Sequence, residues 1–176
     1  KVISTLLDRL LPSVPSDGGC YLTAGLGNEA IISDAIGPKV VKKLLVTRHI
    51  RQSNPEIFRN AGFGSSAAIT PGVLGQTGME SSDVVACAVH NCRAHCIIAV
   101  DSLASRRLSR LATTIQLADT GISPGSGVYN TRNGLNKETT GVPVIAIGVP
   151  TVVDAATLAF DLLKEAKSDV MSNEIS

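Results

Sequence analysis

The segment Cys96-Ile97-Ile98-Ala99-Val100-Asp101 limits the possible folds more than any other part of the chain. Its first five residues are apolar and partly β-branched, with none of the alternation of a half-exposed strand. Such a run reads as a strand buried on both faces, the kind found in parallel sheets flanked by helices. Asp101 stands at its C-terminal end, and Ser102-Leu103-Ala104-Ser105-Arg106 follows. Ligands of open α/β sheets bind beyond the carboxyl ends of the strands, so an acid there is placed for chemistry. A strand-end Asp also serves to cap the following segment through its side-chain oxygen. The local sequence leaves both roles open.

The remaining elements fit around that strand. Ile3, Leu6, Leu7, Leu10 and Leu11 recur at helical spacing, which predicts an amphipathic helix over 1–11, ended by Pro12 and Pro15. Cys20 to Leu26 reads as the first strand, and a helix is expected from Ser33 to Leu45. Residues 50–67 are polar and read as an irregular excursion. Ala68 to Pro71 reads as a short edge strand, because Pro cannot sit centrally in a ladder. A loop over 72–78 leads to a helix from Met79 to Ala94, with Val84, Val85, Cys87, Ala88 and Cys92 expected to face the core. Residues 113–118 alternate as a strand, and a loop of small residues covers 122–132. Val142 to Val149 is the last strand, before a helix from Ala155 to Ala166. This alternation predicts an α/β fold: one domain over 1–176, a three-layer α/β/α sandwich around a mostly parallel sheet.

Composition excludes several functions. A net charge of +1 gives no general attraction to nucleic acid or anionic membrane. With 3% aromatic residues and no Trp, base-stacking platforms are not expected, so no direct nucleic-acid partner is predicted. No apolar run approaches the roughly 20 residues of a membrane-spanning helix, and no signal peptide is read at the start. Lys1 in place of Met makes a fragment or a processed form the expectation. Four cysteines, three of them clustered, fit a reducing cytoplasm better than a disulfide scaffold. Cys87, His90, Cys92, His95 and Cys96 match no standard zinc spacing and read as parts of a helix and a strand.

Other candidate residues have plain structural readings. Gly25-x-Gly27-x-x-Ala30 follows a strand as a dinucleotide fingerprint does. The acid expected about 20 residues later is replaced by Lys42-Lys43-Leu44-Leu45-Val46-Thr47-Arg48-His49, so no dinucleotide cofactor is predicted. The glycines instead allow a sharp turn beside the site. Asp34 falls in the first turn of the predicted helix, at the same sheet edge as Asp101. If their strands are neighbours, the two carboxylates face one crevice. Glu80 and Asp154 stand at helix starts, where acids complement the dipole or cap the end. Arg106, Arg107 and Arg110 either meet an anionic substrate or form a solvated turn.

Several stretches together resemble the germination protease family of spore-forming bacteria. They are Gly-Leu-Gly-Asn (25–28), Asp-Ala-Ile-Gly-Pro-Lys-Val-Val (34–41), Val-Thr-Arg-His (46–49) and Pro-Gly-Val-Leu-Gly-Gln-Thr-Gly-Met-Glu (71–80). Ile-Ala-Val-Asp-Ser-Leu-Ala-Ser-Arg (98–106), Thr-Thr-Ile-Gln-Leu-Ala-Asp-Thr-Gly (113–121), Pro-Gly-Ser-Gly-Val (124–128) and the run from Gly141 to Ala155 follow in the same order.

The resemblance implies a fold similar to the hydrogenase-maturation peptidases. It further implies endopeptidase activity on the small acid-soluble proteins that coat spore DNA, in the cytoplasm of the spore core. Family members are zymogens that process themselves, and they are homo-oligomers. By motif, the two acids proposed as catalytic in this atypical aspartic family fall on Asp34 and Asp101. Which is acid and which is base stays open. The related maturation peptidases bind a metal with a His from a later loop. Here that loop reads Ser123-Pro124-Gly125-Ser126, so no metal is expected. Relative to the family pattern, the N-terminal pro-segment and a C-terminal extension are expected to be missing. A non-catalytic binding module of the same fold and a metal-dependent maturation peptidase are the rival readings.

Overall fold

The computed structural model describes residues 2–15, 18–123 and 134–173, with side chains to Lys164. Its described residues form a five-stranded sheet in the order β2-β1-β3-β5-β4. These strands are β1 (Cys20–Gly25), β2 (Ser66–Ile69), β3 (Ala94–Ser105), β4 (Gln116–Ala118) and β5 (Val144–Val153). The pairs β1·β2, β1·β3 and β3·β5 are parallel, and β4 lies antiparallel along β5. Helices flank this sheet, giving the expected three-layer α/β/α arrangement.

Chain direction determines where a crevice opens. From β1 the chain moves outward to β2; it then returns across β1 to β3 and proceeds the other way to β5. Right-handed crossovers in opposite lateral directions place their helices on opposite faces. Helix α2 (Ile36–Val41) lies against β1 and β3 on one side, and α6 (Ser81–Cys92) covers β1 and β3 on the other. The strand order therefore reverses between β1 and β3, which is where α/β sheets open a ligand crevice.

The core is built on the α6 side. Leu22, Ala24, Ile97, Ala99 and Val144 meet Val85 and Val89 there. Period-2 alternation turns Asp101 toward the same face, in register with Gly148. Gly148 makes room for its neighbour: a Cβ at that position would overlap the Leu103 side chain.

Several elements depart from expectation. The predicted helix Ser33–Leu45 is instead a 3-10 turn (Ile32–Asp34) followed by the short α2. Gly37 and Pro38 are buried in its first turn, where a missing N–H costs no helix bond. The excursion over 50–67 contains α3 (Arg48–Ser53) and α4 (Pro55–Asn60). Asn54 caps α4 by accepting the Ile57 N–H at 3.1 Å, just ahead of Pro55. The expected loop over 72–78 contains a single turn, α5 (Leu74–Thr77). On α6, Val85 and Val89 take the core positions and Cys87 is exposed. The first helix is confirmed as α1 (Val2–Leu10), yet none of its residues is buried and Val2 is 74% exposed. A short α7 (Lys137–Thr140) and the long α8 (Ala155–Asn173) complete the described helices. The predicted loop 122–132 lies largely outside the described residues.

Candidate active site

β1 and β3 are neighbours, which sets their carboxyl ends side by side at the switch point. Their ladder ends at Gly25 and Val100, with a last bond from Leu26 N–H to the Val100 carbonyl at 2.8 Å. Asp101 is the next residue. It does not end its strand as expected: β3 runs four residues further, paired to β5 through Ser105. A sequence signal for that extension was missing because Ser102, Ala104 and Ser105 are small or polar.

Asp34 arrives from the other side of the switch point. After Leu26 the chain turns at Gly27, whose φ is +107°, a region open to glycine and costly to other residues. A Cβ at Gly27 would overlap the Asp34 carbonyl oxygen and stand 2.8 Å from Asp34 Oδ1. Asn28 then donates its backbone N–H to Asp34 Oδ2 at 2.7 Å. The Asn28 side chain is held in turn, since its Oδ1 accepts from Ala30 N–H at 3.0 Å and Gln76 Nε2 at 3.1 Å. Ser33, next to Asp34, is anchored to β5 through a 2.6 Å bond from Thr151 Oγ1 to its carbonyl. Gly37 lets α2 approach this corner, for a Cβ there would lie 2.6 Å from the Val100 carbonyl oxygen.

The two acids are differently housed. Asp101 is 5% exposed, while Asp34 is half-buried. Burial pushes the Asp101 carboxyl up to about 7; the Asp34 charge adds to the rise, and the Ser102 N–H, donating to Asp101 Oδ1 at 2.8 Å, opposes it. A carboxyl that titrates near neutrality beside a second carboxylate can hold and release a proton under ordinary conditions. Asn28 and Gly27 hold the Asp34 side of this corner, Thr151 anchors the residue before it, and Ser102 holds Asp101. Of these, the sequence alone marks the glycine turn; the signal for Asn28 is its place at the end of the Gly-Leu-Gly-Asn motif.

Nearby, a recess of about 630 Å³ is walled by Ile31, Ile32, Ala112 and Thr151. Ile32 is 87% exposed beside it. A second cavity, about 580 Å³, opens between Cys20, Arg48 and Arg93 at the opposite end of the sheet from the carboxylates.

Other candidates are not brought to the crevice. Asp154 caps α8, accepting Thr157 N–H at 2.9 Å and Thr157 Oγ1 at 2.6 Å. Arg106, Arg107 and Arg110 are exposed around a 3-10 turn (Leu108–Arg110) beyond β3. Cys96 is buried, and its thiol is pushed up to about 11, so it is no nucleophile at neutral pH. His95 places Nδ1 3.0 Å from the Cys20 carbonyl oxygen and meets the Tyr21 ring edge-on. Among the described residues no group of three or more His, Cys, Asp or Glu side chains is placed to hold a metal. Among them, too, no helix is long and apolar enough to cross a membrane.

Comparison with known proteins supplies a family. The germination protease family profile matches residues 1–166. A germination protease from Bacillus velezensis is 51% identical over 148 residues, covering 84% of this chain and 40% of that protein. One from Clostridium acetobutylicum is 44% identical over 177 aligned positions, covering 100% of this chain and 54% of its relative. The Bacillus subtilis germination protease is 49% identical over 158 residues, 90% of this chain and 42% of the relative. The chain thus spans about half the length, or less, of these relatives. A solved structure of an uncharacterized protein from Wolinella succinogenes aligns over 90% of this chain at 10% identity, with a TM-score of 0.38.

Proposed function

This chain belongs to the germination protease family, and from that premise we propose that it is an endopeptidase in which Asp34 and Asp101 work as a pair on one water. What supports the reading is that Asp101 is buried at the switch point between β1 and β3, and that the Asp34 charge reaches it and helps raise its pKa. Two carboxyls so placed cannot both ionise cheaply, so the pair carries one proton around neutral pH. Burial assigns that proton to Asp101. As water attacks the peptide carbonyl carbon, the unprotonated partner takes a proton from it, and the Asp101 O–H hydrogen-bonds the oxygen that becomes negative. Collapse of the tetrahedral intermediate breaks the C–N bond, and a proton of the pair passes to the departing amine.

On this reading residues 1–176 are one peptidase-like domain. Its substrates are the small acid-soluble DNA-binding proteins of spores, and it acts as a homo-oligomer derived from a zymogen in the spore core. Incubation with a purified small acid-soluble spore protein, followed by mass spectrometry, tests the central claim. Discrete internal cuts that persist in chelator are expected, and Asp101→Asn should abolish them. Binding without cutting would favour the non-catalytic module. Cutting lost to chelator and restored by a divalent metal would favour the maturation-peptidase reading.

A further inference from the structure

β3 outlasts its neighbour. On one side it stays paired with β5 as far as Ser105 and Val153, whereas on the other its ladder with β1 stops at Val100. Among the described residues no strand pairs with that second side beyond this point. The main-chain groups of successive strand residues point to alternate edges. Ile97 N–H bonds the Pro143 carbonyl at 2.9 Å, so odd-numbered residues face β5. The Val100 carbonyl accepts from Leu26, so even-numbered residues face the β1 side. Ser102 and Ala104 therefore present their peptide groups to the open edge. Ser102 N–H is already engaged by Asp101 Oδ1. Among the described residues, no hydrogen bond on this side engages the Ser102 carbonyl or the polar groups of Ala104, which leaves a short ladder template.

Exposed sheet edges are usually guarded by Pro, Lys or a bulge that twists them away. This one carries small residues, and Ala104 is exposed. The register shift in this region places its extra residue on β5, between Pro150 and Val152, and so leaves the β3 edge regular. The edge begins at Asp101, in line with the end of β1. At about 3.3 Å per residue, Asp101–Ser105 offers roughly 13–16 Å, enough for four or five residues of an extended partner.

We propose that the polypeptide substrate docks here as an added strand, pairing with Ser102 and Ala104 and running end to end with β1, so that one of its carbonyls reaches the carboxylate pair. This rests on the peptidase reading above. Strand addition supplies affinity through main-chain bonds that do not depend on side-chain identity. It also fixes the angle at which a peptide group meets Asp101, because the Ser102 N–H that holds that carboxylate belongs to the same edge.

The test uses overlapping synthetic peptides covering a small acid-soluble spore protein, screened against the whole chain by fluorescence anisotropy. The tightest binder is then N-methylated one position at a time, with binding and cleavage measured separately. Strand addition predicts a period-2 pattern: methylation at edge-facing amides weakens binding about tenfold each, the size of one lost hydrogen bond, and alternate positions are tolerated. A pattern without alternation, or the lack of any binding peptide, overturns the proposal. Alternating binding with no cleavage would retain the docking mode and sink the peptidase reading instead. On the protein side, Ala104→Pro removes an outward amide without breaking a β3–β5 bond. It should raise KM about tenfold with kcat little changed, while the circular dichroism spectrum is kept. An unchanged KM in folded Ala104→Pro would also overturn the proposal.

Discussion

Leu26 donates its backbone N–H to the Val100 carbonyl at 2.8 Å, one residue short of Asp101. That bond sets the corner of the crevice. β1 has just ended there, and the chain that leaves it turns at Gly27 and returns with Asp34. β3 passes the same point and continues. A half-buried acid and a buried one thus lie on the two chain segments that part at this corner, and the different burial of the two follows from topology.

If the pair performs the chemistry, removing either ionisable group while keeping its shape should cost about 10²-fold or more in turnover. Asp34→Asn and Asp101→Asn are the probes, and both retain an oxygen that can accept the Asn28 or Ser102 N–H. Steady-state cleavage of a small acid-soluble spore protein provides the measurement. Asp154→Asn is the control. Its carboxylate is engaged in capping α8 through Thr157, so turnover should match the parent chain. Full activity in either of the first two variants refutes the pair.

Burial of Asp101 makes stability depend on pH in a stated direction. Its folded pKa, about 7, lies above the ordinary 3.8, so the folded chain keeps a proton that the unfolded chain releases. Between about pH 4 and 7 the folded state binds more protons, and this group's contribution falls as pH rises. Below pH 4 both states are protonated and no difference remains; above 7 the full penalty applies. Asp101→Asn should remove that slope and stabilise the chain at pH 8, by an amount on the order of 4 kcal/mol. Urea unfolding at pH 4 and pH 8 measures both. A variant no more stable than the parent at pH 8 would contradict the assignment of a buried, proton-holding Asp101.

Much of this corner was legible in the sequence, for reasons that differ by residue. Ile97 to Val100 announce a buried strand because a strand covered on both faces needs no polar alternation. Gly27 reads as a turn because few other residues reach its φ. The extension of β3 through Ser105 is hidden, since Ser102, Ala104 and Ser105 carry little strand propensity and pairing with β5 alone holds them extended. Asp34 falls in the first turn of the helix expected from Ser33 to Leu45. In the fold, however, the approach of Gly37 to Leu26 and Val100 fixes where α2 begins, and α2 ends at Val41. Such an approach is a tertiary contact with no local signature. The exposure of Cys87 has the same origin: the face α6 buries is chosen by the sheet beneath it.

Gly27 should be as sensitive as the acids. Alanine there needs a positive φ and places its Cβ against the Asp34 main chain and carboxylate. The expected cost is about 2 kcal/mol or more in stability, from backbone strain and overlap. Turnover should fall in the fraction that still folds, because relief of the overlap moves Asp34 from its place. Gly62→Ala is the comparison, since its φ is also positive but a Cβ there meets nothing within 4 Å. Thermal unfolding and cleavage measured on both variants separate strain, which they share, from displacement of Asp34, which only Gly27→Ala causes. Equal activity in the two would show that the turn does not position the acid.

The last expectation separates the two causes of the raised Asp101 pKa. Burial is the larger and the Asp34 charge the smaller, with the Ser102 N–H acting against both. Asp34→Asn removes the charge and leaves the burial. The Asp101 titration midpoint, followed by carboxyl carbon NMR in the folded chain, should therefore fall in that variant and still stay clearly above the ordinary carboxylate value. A fall all the way to about 4 would mean that the neighbouring charge, and not desolvation, keeps Asp101 protonated. No fall at all would mean that the two carboxyls do not sense one another, and the paired mechanism would lose its physical basis even if each residue were separately needed for cleavage.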